Sequence, residues 1–283
     1  MKILVTGING QVGHALMQNL TYDELIGLTR QDCDLTNPDQ IRQVIDQHQP
    51  DLIINSAAYT QVDKAEDEPE LAFKINTDAP RVMAEKAREY NIPLIHFSTD
   101  YVFDGQKDEP YSEKDEAKPL SVYGQSKLAG EEAIQEVGKQ IYILRTSWVY
   151  SNIGENFFLT IKKLSKENDE LKVVSDQRGV PASNQFIAEQ IKNIIPKLNK
   201  KNTGIYHLVP NGSCSRHDFA RAIIKKTNPE FDLYQLIKIK TQDYPTKAYR
   251  PTNSQLNNEK IKQTFMLEFE DWQSELDRIL DEA

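Results

Sequence analysis

The chain has 283 residues and a formal net charge of −9, from 43 acidic and 34 basic residues, and it contains two cysteines. This length can bury one large or two coupled cores, and the acidic balance excludes a general nucleic-acid binder. The distant cysteines, the early first strand and the lack of any apolar run of roughly 20 residues predict a cytoplasmic protein without disulfides, targeting segment or membrane span.

Short apolar segments alternate with helical patterns in the first half of the chain. Strands are predicted at residues 2–6, 25–28, 52–55, 94–97 and 141–145, and helices at residues 11–20, 39–47, 69–90 and 123–136. This alternation predicts an α/β fold with a Rossmann-type doubly wound parallel sheet, covered by helices on both faces.

Beyond residue 147 the pattern is looser. Strands are predicted at residues 171–174, 204–209 and 237–239, helices at residues 184–198, 215–226 and 272–280, and a surface loop at residues 104–119. We therefore predict a Rossmann domain over residues 1–147 and a smaller α/β part over residues 148–283, with some of its segments returning to the main sheet.

A glycine turn follows the first strand and leads into a helix. Gly7, Gly10 and Gly13 are spaced G-x-x-G-x-x-G. Glycines let the backbone approach a pyrophosphate, and the helix N-terminus offers free N–H groups and a positive dipole end, so the turn predicts dinucleotide binding. Thr29 and Arg30 follow the second strand, where a carboxylate would bind the ribose of NAD. We therefore expect NADPH as the cofactor, with NADH as an alternative.

Tyr123 and Lys127 lie four residues apart in a predicted helix and so share one face. A lysine ammonium beside a phenol is expected to lower the pKa of the tyrosine, giving an acid/base group suited to a carbonyl oxygen. On its own this spacing is more often a solvated face, but the preceding dinucleotide motif favours a catalytic pair.

Four further motifs occur in order along the chain. They are NSAAYTQVDKAE at residues 55–66, FSTDYVFDG at 97–105, LRTSWVY at 144–150 and RPTNS at 250–254. With the glycine turn and the Tyr/Lys pair, the whole chain resembles the dTDP-4-dehydrorhamnose reductase family of the extended short-chain dehydrogenase/reductase superfamily. The resemblance implies NADPH-dependent reduction of the 4-keto group of a dTDP-linked deoxysugar, the last step of dTDP-L-rhamnose synthesis for cell-surface polysaccharides.

The resemblance also implies residue roles, with Thr99, Tyr123 and Lys127 catalytic. The implied cofactor-binding residues are Gly7, Gly10, Gln11, Val12, Arg30, Asp34, Leu35, Ala57, Ala58, Tyr59, Phe97, Tyr123 and Lys127. The implied substrate-binding residues are Val62, Asp63, Thr99, Asp100, Tyr101, Tyr123, Trp148, Asn156 and Arg250. Trp148 has an alternative interpretation as a core residue, and Arg250 has one as a surface salt bridge.

Two positions depart from related patterns. Asp100 is followed by Tyr101, whereas related dehydratases carry an Asp-Glu pair there, so the chain is expected to be a simple reductase. Some family members dimerise through a metal held by an acidic side chain where this chain has Ala15. We therefore expect no metal site, and only a weak homodimer is left open.

Two other functions remain open. One is a reductase or epimerase of another nucleotide sugar, which the missing second carboxylate disfavours. The other is a non-catalytic, NADP-binding regulatory subunit of the same fold, which the intact set of Thr99, Tyr123 and Lys127 disfavours.

Overall fold

The structure of the chain, a computed structural model, describes residues 1–281. Its strands are β1 Lys2–Thr6, β2 Glu24–Leu28, β3 Leu52–Asn55, β4 Leu94–Thr99, β5 Ile141–Thr146, β6 Val149–Tyr150, β7 Leu171–Val174, β8 Arg178–Gly179, β9 Ala182–Ser183, β10 Gly204–His207, β11 Cys214–Ser215 and β12 Leu236–Ile239. Its α-helices are α1 Gln11–Asn19, α2 Pro38–His48, α3 Val62–Ala65, α4 Pro69–Phe73, α5 Ala79–Tyr90, α6 Val122–Val137, α7 Phe157–Glu167, α8 Asn184–Ile194, α9 Arg216–Thr227, α10 Glu259–Phe265 and α11 Trp272–Asp281.

A parallel six-stranded sheet forms the centre of the fold, in the order β10-β5-β4-β3-β1-β2. The chain moves from β1 outward to β2 and then returns past β1 to β3, so the strand order reverses there. In doubly wound sheets, ligands bind beyond the carboxyl ends of the strands at this reversal. The register aligns the ends of three strands, because Thr6 pairs with both Leu28 and Asn55.

Apolar side chains cover both faces of the sheet, as a buried parallel sheet requires. On one face Ile3, Val5 and Ile54 pack with residues of α1 and α8. On the other face Leu4 and Ile53 pack with residues of α2, α5 and α6. A separate cluster in the C-terminal part includes Tyr150, Phe158, Phe219 and Trp272. The predicted α/β class and doubly wound sheet are therefore confirmed.

The five strands and the first, second and fourth helices predicted before residue 147 are all present, with ends that differ by one or two residues. The helix predicted over residues 69–90 is wrong in its middle, because a π-helical turn, Lys74–Asp78, separates α4 from α5. Pro80 has no N–H to donate to the Asn76 carbonyl, so the helix widens there. That carbonyl instead faces Gly130 of α6, where a Cβ would lie only 2.0 Å from it.

In the second half of the chain, the helix predicted over residues 184–198 is divided into α8 and a short 3₁₀ turn, Ile195–Lys197. The predicted strand at 204–209 is shorter and joins the main sheet as β10, beside β5. The helices α3, α7 and α10 were not predicted from the sequence. The division at residue 147 stays a prediction. No helix within residues 1–281 is long and apolar enough to cross a membrane.

Candidate active site

A cleft of about 380 Å³ opens beyond the carboxyl ends of β1, β2 and β3. Seven of the cofactor residues predicted from the sequence line it: Gly7, Arg30, Asp34, Leu35, Ala57, Ala58 and Tyr59. Gln11 and Val12 begin α1, directly after Gly10. Phe97, Tyr123 and Lys127 lie outside this lining, on β4 and α6.

The glycine turn holds three backbone segments in close contact. Gly7 has φ +74°, and a Cβ on it would lie 2.8 Å from the backbone of Ala57. A Cβ on Gly13 would lie 2.3 Å from the Gly7 carbonyl oxygen. Since neither position accommodates a side chain, the turn brings the N-terminus of α1 to the end of the sheet. The residues present therefore fit the phosphates of a dinucleotide.

The end of β2 contains both a cation and a carboxylate. Arg30 is exposed at the rim of the cleft. Asp32, which the sequence prediction did not consider, accepts hydrogen bonds from the backbone N–H of Thr29 at 2.9 Å and from its hydroxyl at 2.6 Å. These bonds hold the pKa of the Asp32 carboxyl below its usual value. This carboxylate is therefore engaged by Thr29, while Arg30 extends to solvent, as a 2′-phosphate site requires.

The side chains predicted to be catalytic come together because α6 packs closely on the end of β4. Ser121 caps α6 by accepting a hydrogen bond from the N–H of Gly124 at 3.2 Å. A Cβ on Gly124 would lie 2.3 Å from the carbonyl oxygen of Tyr101, so only glycine permits this approach. As a result the ring of Tyr123 meets the ring of Tyr101 edge-on, with centroids 5.9 Å apart. The hydroxyl of Thr99 is then close enough to Tyr123 to act on the pKa of its phenol.

The predicted influence of Lys127 on Tyr123 is wrong. Burial raises the pKa of the Tyr123 phenol above its usual value, and only the Thr99 hydrogen bond acts to lower it. The Lys127 side chain turns to β4 instead, where Nζ donates to the Phe97 carbonyl oxygen at 2.6 Å. The two residues do share a helix face, but desolvation decides the protonation state. Tyr123 is thus a protonated acid at neutral pH.

Asp100 is a buried carboxyl group beside this acid. Its Oδ1 accepts a hydrogen bond from the Thr99 hydroxyl at 3.1 Å, whereas its Oδ2 has no hydrogen-bond partner within residues 1–281. Burial raises its pKa to about 6, although the nearby Ser254 hydroxyl and then the Arg216 charge act in the opposite direction. Since buried acceptors without partners are rare, Oδ2 is available to a hydroxyl group of a ligand.

Trp148 and Arg216 form a stacked pair on the other side of the site. Trp148 has φ +45°, a costly conformation for a bulky residue, and such strain concentrates at functional sites. Its indole packs against Gly179, where a Cβ would lie 2.5 Å from the ring. The Arg216 guanidinium carbon lies 3.7 Å from the ring centroid of Trp148 and 5.1 Å from that of Phe157.

Arg216 and Arg250 both act on Tyr101. Burial raises the pKa of the Tyr101 hydroxyl, and the two guanidinium charges lower it. Arg250 is paired with Asp63, with Nη2–Oδ2 and Nη1–Oδ1 distances of 2.6 and 3.1 Å. Arg216 makes no ion pair with a carboxylate within the described part of the chain. The two cations therefore flank one hydroxyl, but only one of them is neutralised.

The Asp63–Arg250 pair also fastens a loop to the Rossmann part. Asp63 accepts a hydrogen bond from the backbone N–H of Ala248 at 2.9 Å, and Lys247 forms an ion pair with Asp67. Val62, also predicted to contact substrate, is half-buried at the start of α3. Arg250 therefore forms a salt bridge, as the alternative interpretation predicted. Its partner, Asp63, is itself one of the residues implied to bind substrate.

Asn156, whose role in substrate binding stays a prediction, is held by contacts within the protein. Its Oδ1 accepts a hydrogen bond from the N–H of Leu159 at 3.0 Å and caps α7. Its Nδ2 contacts Gln11 Oε1 at 3.0 Å and the carbonyl oxygens of Ser151 and Ile153 at 3.0 and 3.1 Å. Because every polar atom of this amide is used, it ties α7 to the start of α1.

The sequence prediction missed several residues of the site. Asn9, Thr60, Gln61, Lys64 and Glu68 line the cofactor cleft. Arg216 is the most informative omission, since it lies far along the chain at the start of α9 and belongs to no motif. Asn9 directly adjoins the glycine turn and could have been included. Within residues 1–281 no cluster of three or more metal-ligating side chains occurs.

Known proteins resemble this chain over its full length. A family model, the RmlD substrate binding domain, matches residues 1–283. The dTDP-4-dehydrorhamnose reductase of Escherichia coli K12 is 42% identical over 100% of this chain and 98% of its own length.

Two solved structures have the same architecture. One is a dTDP-4-dehydrorhamnose reductase from Clostridium acetobutylicum, with a TM-score of 0.94, 37% identity and 99% coverage of both chains. The other, from Bacillus anthracis in complex with NADP, has a TM-score of 0.93, 34% identity and 100% coverage of both chains. With a family model and relatives that match from end to end, this chain belongs to the dTDP-4-dehydrorhamnose reductase family.

Proposed function

We propose that this protein reduces the 4-keto group of dTDP-4-dehydro-L-rhamnose to dTDP-L-rhamnose, with NADPH as the reductant. The observation that carries the proposal is the protonated Tyr123 beside Thr99. Tyr123 packs in one apolar cluster with Tyr59 of the cleft that fits a dinucleotide. Relatives of this chain have this activity in their names, and one of them was solved with NADP.

The chemistry follows from the two hydroxyl groups. NADPH, when bound, supplies a hydride to C4 of the sugar. The C4 oxygen, placed between Thr99 and Tyr123, gains negative charge as the carbonyl is reduced, and the Tyr123 hydroxyl donates a hydrogen bond to it. The Thr99 hydroxyl has one proton and donates to the same oxygen by turning away from Asp100 Oδ1. Tyr123 then transfers its proton to this oxygen, which yields the alcohol. A raised tyrosine pKa suits this direction because the acid is loaded before the hydride arrives.

The remaining site residues orient the sugar and its diphosphate. Asp100 Oδ2, which has no partner within residues 1–281, accepts a hydrogen bond from a sugar hydroxyl. Trp148 offers a flat apolar face to the ring of the deoxysugar. Arg216, joined by Arg250, supplies the local cationic patch that an anionic nucleotide sugar needs in an acidic protein. The protein has the parts of a simple reductase, since Tyr101 occupies the position of the dehydratase carboxylate.

The proposal includes a cytoplasmic location, because Cys33 and Cys214 are both unpaired and buried. A weak homodimer stays a prediction.

The test is NADPH oxidation at 340 nm with the keto sugar generated in situ from dTDP-glucose. Wild-type protein is expected to turn over, and Tyr123→Phe should lower kcat by roughly 10²–10⁴-fold, the usual contribution of a general acid. Tyr90→Phe, on the far end of α5, is the matched control and should keep wild-type activity.

Binding of NADPH by Tyr123→Phe should stay within about twofold of wild type, since the lost group is a proton donor. A well-folded wild type that binds NADPH but turns over no keto sugar would contradict the proposal. That result would favour another nucleotide sugar or a regulatory subunit.

A further inference from the structure

His96 lies between β3 and α6 and has no place in the mechanism above. It is fully buried in β4, with Nδ1 at 3.0 Å from Asn55 Nδ2 and Nε2 at 3.2 Å from Lys127 Nζ. Lys127 is also buried and donates to the Phe97 carbonyl oxygen. The imidazole therefore bridges the end of β3 and the lysine of the active site.

Hydrogen bonding fixes the proton of this imidazole. Asn55 Oδ1 accepts from the Thr6 hydroxyl at 2.7 Å and from the backbone N–H of Ala57 at 3.2 Å. A backbone N–H can only donate, so Oδ1 faces Ala57 and the amide NH₂ faces His96. That NH₂ also only donates, which makes Nδ1 an acceptor. Burial and the nearby Lys127 charge keep the pKa of His96 well below its usual value, so the ring is neutral and carries its proton on Nε2.

The Nε2–H bond then points at Lys127 Nζ. The ammonium form of Lys127 has three N–H donors and no acceptor, so two donors face each other and no hydrogen bond forms. The neutral amine form has a lone pair, which accepts a hydrogen bond from Nε2–H. We propose that His96 is a positioning residue for Lys127, and that its Nε2–H, oriented by Asn55, stabilises the amine form of the lysine relative to the ammonium. The inference rests on the proposed function in one respect, because it takes Lys127, an implied cofactor-binding residue, as the group that binds the nicotinamide ribose of NADPH.

Charged groups on α6, on β5 and around β4 surround Lys127. On α6 itself, Glu131 lies one turn beyond Lys127 and favours the ammonium. From β5, Arg145 binds Glu131 at 2.9 and 2.6 Å and offsets that carboxylate. On the turn after β4, Asp100 acts on Tyr123. From β4, only His96 contacts Nζ with a titratable group.

Together these surroundings set the working range of the lysine. Burial lowers the pKa of Lys127 to about 8. The ammonium is the form that donates to the ribose hydroxyls of a bound cofactor, so cofactor binding should weaken as the pH rises through about 8. We call the pH at which cofactor binding weakens the alkaline limit. If His96 disfavours the ammonium form, replacing it with a side chain that has no N–H should move the alkaline limit to higher pH.

The experiment measures the NADPH dissociation constant of the whole protein from pH 6 to 10 by fluorescence, without any sugar. His96→Met removes both ring nitrogens and should raise the alkaline limit by about one pH unit, because that is roughly the worth of the hydrogen bond that the neutral amine of Lys127 accepts from Nε2–H. His96→Gln should stay near wild type, since its amide can offer oxygen to Asn55 and N–H to Lys127. His48→Met, on α2, is the control and should not shift the limit.

A His96→Met limit equal to that of wild type would overturn the proposal. If His96→Met does not fold, the proposal is tested by an NMR measurement on the wild-type protein. Nitrogen-15 NMR of histidine-labelled protein, with His96 assigned by its absence in His96→Gln, should show the proton on Nε2, and a proton on Nδ1 would overturn the proposal. Neither experiment uses the sugar substrate, so a failed reductase assay and a failed test of the His96 proposal can be told apart.

Discussion

The cofactor cleft is shaped by backbone close to the N-terminus, whereas the substrate side is assembled from side chains that are distant in sequence. At the cleft, Gly7 and Gly13 bring α1, β1 and the loop after β3 into direct contact. On the substrate side, Asp100, Trp148 and Arg216 come from three separate segments and interact through charge and stacking. A site shaped by backbone should lose ligand binding sharply when a single methyl group is added. A site assembled from side chains should lose binding gradually, by an amount that depends on the side chain replaced.

The largest effect that sharpens this comparison is expected from Gly13→Ala. Its Cβ would overlap the Gly7 carbonyl oxygen at 2.3 Å, and neither backbone can yield without moving α1. NADPH and NADH binding should both weaken by roughly 10–100-fold, the cost of overpacking a tight contact. Fluorescence titration with each cofactor measures this.

Gly10→Ala is the matched comparison. Its Cβ would meet only the Gly7 carbonyl oxygen, at 3.2 Å, so binding should weaken less than in Gly13→Ala. Wild-type affinity in Gly13→Ala would break the comparison, because it would mean that the backbone at this turn is adaptable.

The next effect is expected from Arg216→Gln. Loss of an unpaired guanidinium beside Tyr101 should weaken dTDP binding to the NADPH-loaded protein by roughly tenfold or more, since charge-assisted hydrogen bonds to phosphate are lost. Arg216→Lys keeps the charge but not the planar stack on Trp148. Its affinity for dTDP should therefore lie between that of wild type and that of Arg216→Gln. Calorimetry with dTDP and with thymidine separates the phosphate contribution.

Thymidine binding should change little in both Arg216 variants, and NADPH binding should not change. Arg221→Gln, exposed on the same helix, is the control. An equal loss of thymidine and dTDP binding would show that Arg216 acts through the fold of the site and not through phosphate.

A smaller effect is expected from Arg30→Gln at the rim of the cleft. The 2′-phosphate of NADPH should lose its cationic partner, so the preference for NADPH over NADH should fall several-fold, by about 1 kcal/mol. The KM for NADH should hardly change, because Asp32 remains bound to Thr29. An unchanged NADPH/NADH ratio of kcat/KM would remove Arg30 from cofactor selection.

The smallest effect concerns stability and comes from Asp100→Asn. Burial raises the pKa of Asp100 to about 6 in the folded protein, above the value of about 4 of an unfolded chain. The folded state therefore binds more protons between these values, and stability is lost as the pH rises through about 6. Asp100→Asn should raise Tm by about 2–4 °C at pH 7 and have little effect near pH 4.

The same variant should lose activity, because its single acceptor oxygen cannot serve both the Thr99 hydroxyl and a sugar hydroxyl. Thermal unfolding at both pH values measures the stability change. A lower Tm at pH 7 would mean that the Asp100 carboxylate is stabilised by its neighbours, and the substrate side would then be less strained than we describe.

The parts of the fold that the sequence predicted are those controlled by local patterns. Apolar runs and glycine spacing depend on neighbours within a few residues, and β1 to β5 and the glycine turn were predicted accordingly. The π-helical turn depends on Pro80 together with Gly130, fifty residues away, and so had no local signal.

The site differs in the same way. The Tyr123–Lys127 spacing placed both residues on one face, but it could not show that Nζ turns to His96 and Phe97 on β4. The resemblance assigned Asn156 to substrate binding, but its contacts with Gln11 and the start of α7 are visible only in three dimensions. Arg216 enters the site only through the packing of α9 against Trp148.

The central claim is that the protein transfers hydride from NADPH to C4 of the sugar while Tyr123 supplies the proton. The most direct measurement uses NADPH doubly deuterated at C4 of the nicotinamide, with the keto sugar generated in situ, and locates the label in the product by NMR. We predict one deuterium on carbon, at C4 of dTDP-L-rhamnose. Deuterium at another carbon, or an unlabelled product, would contradict the account.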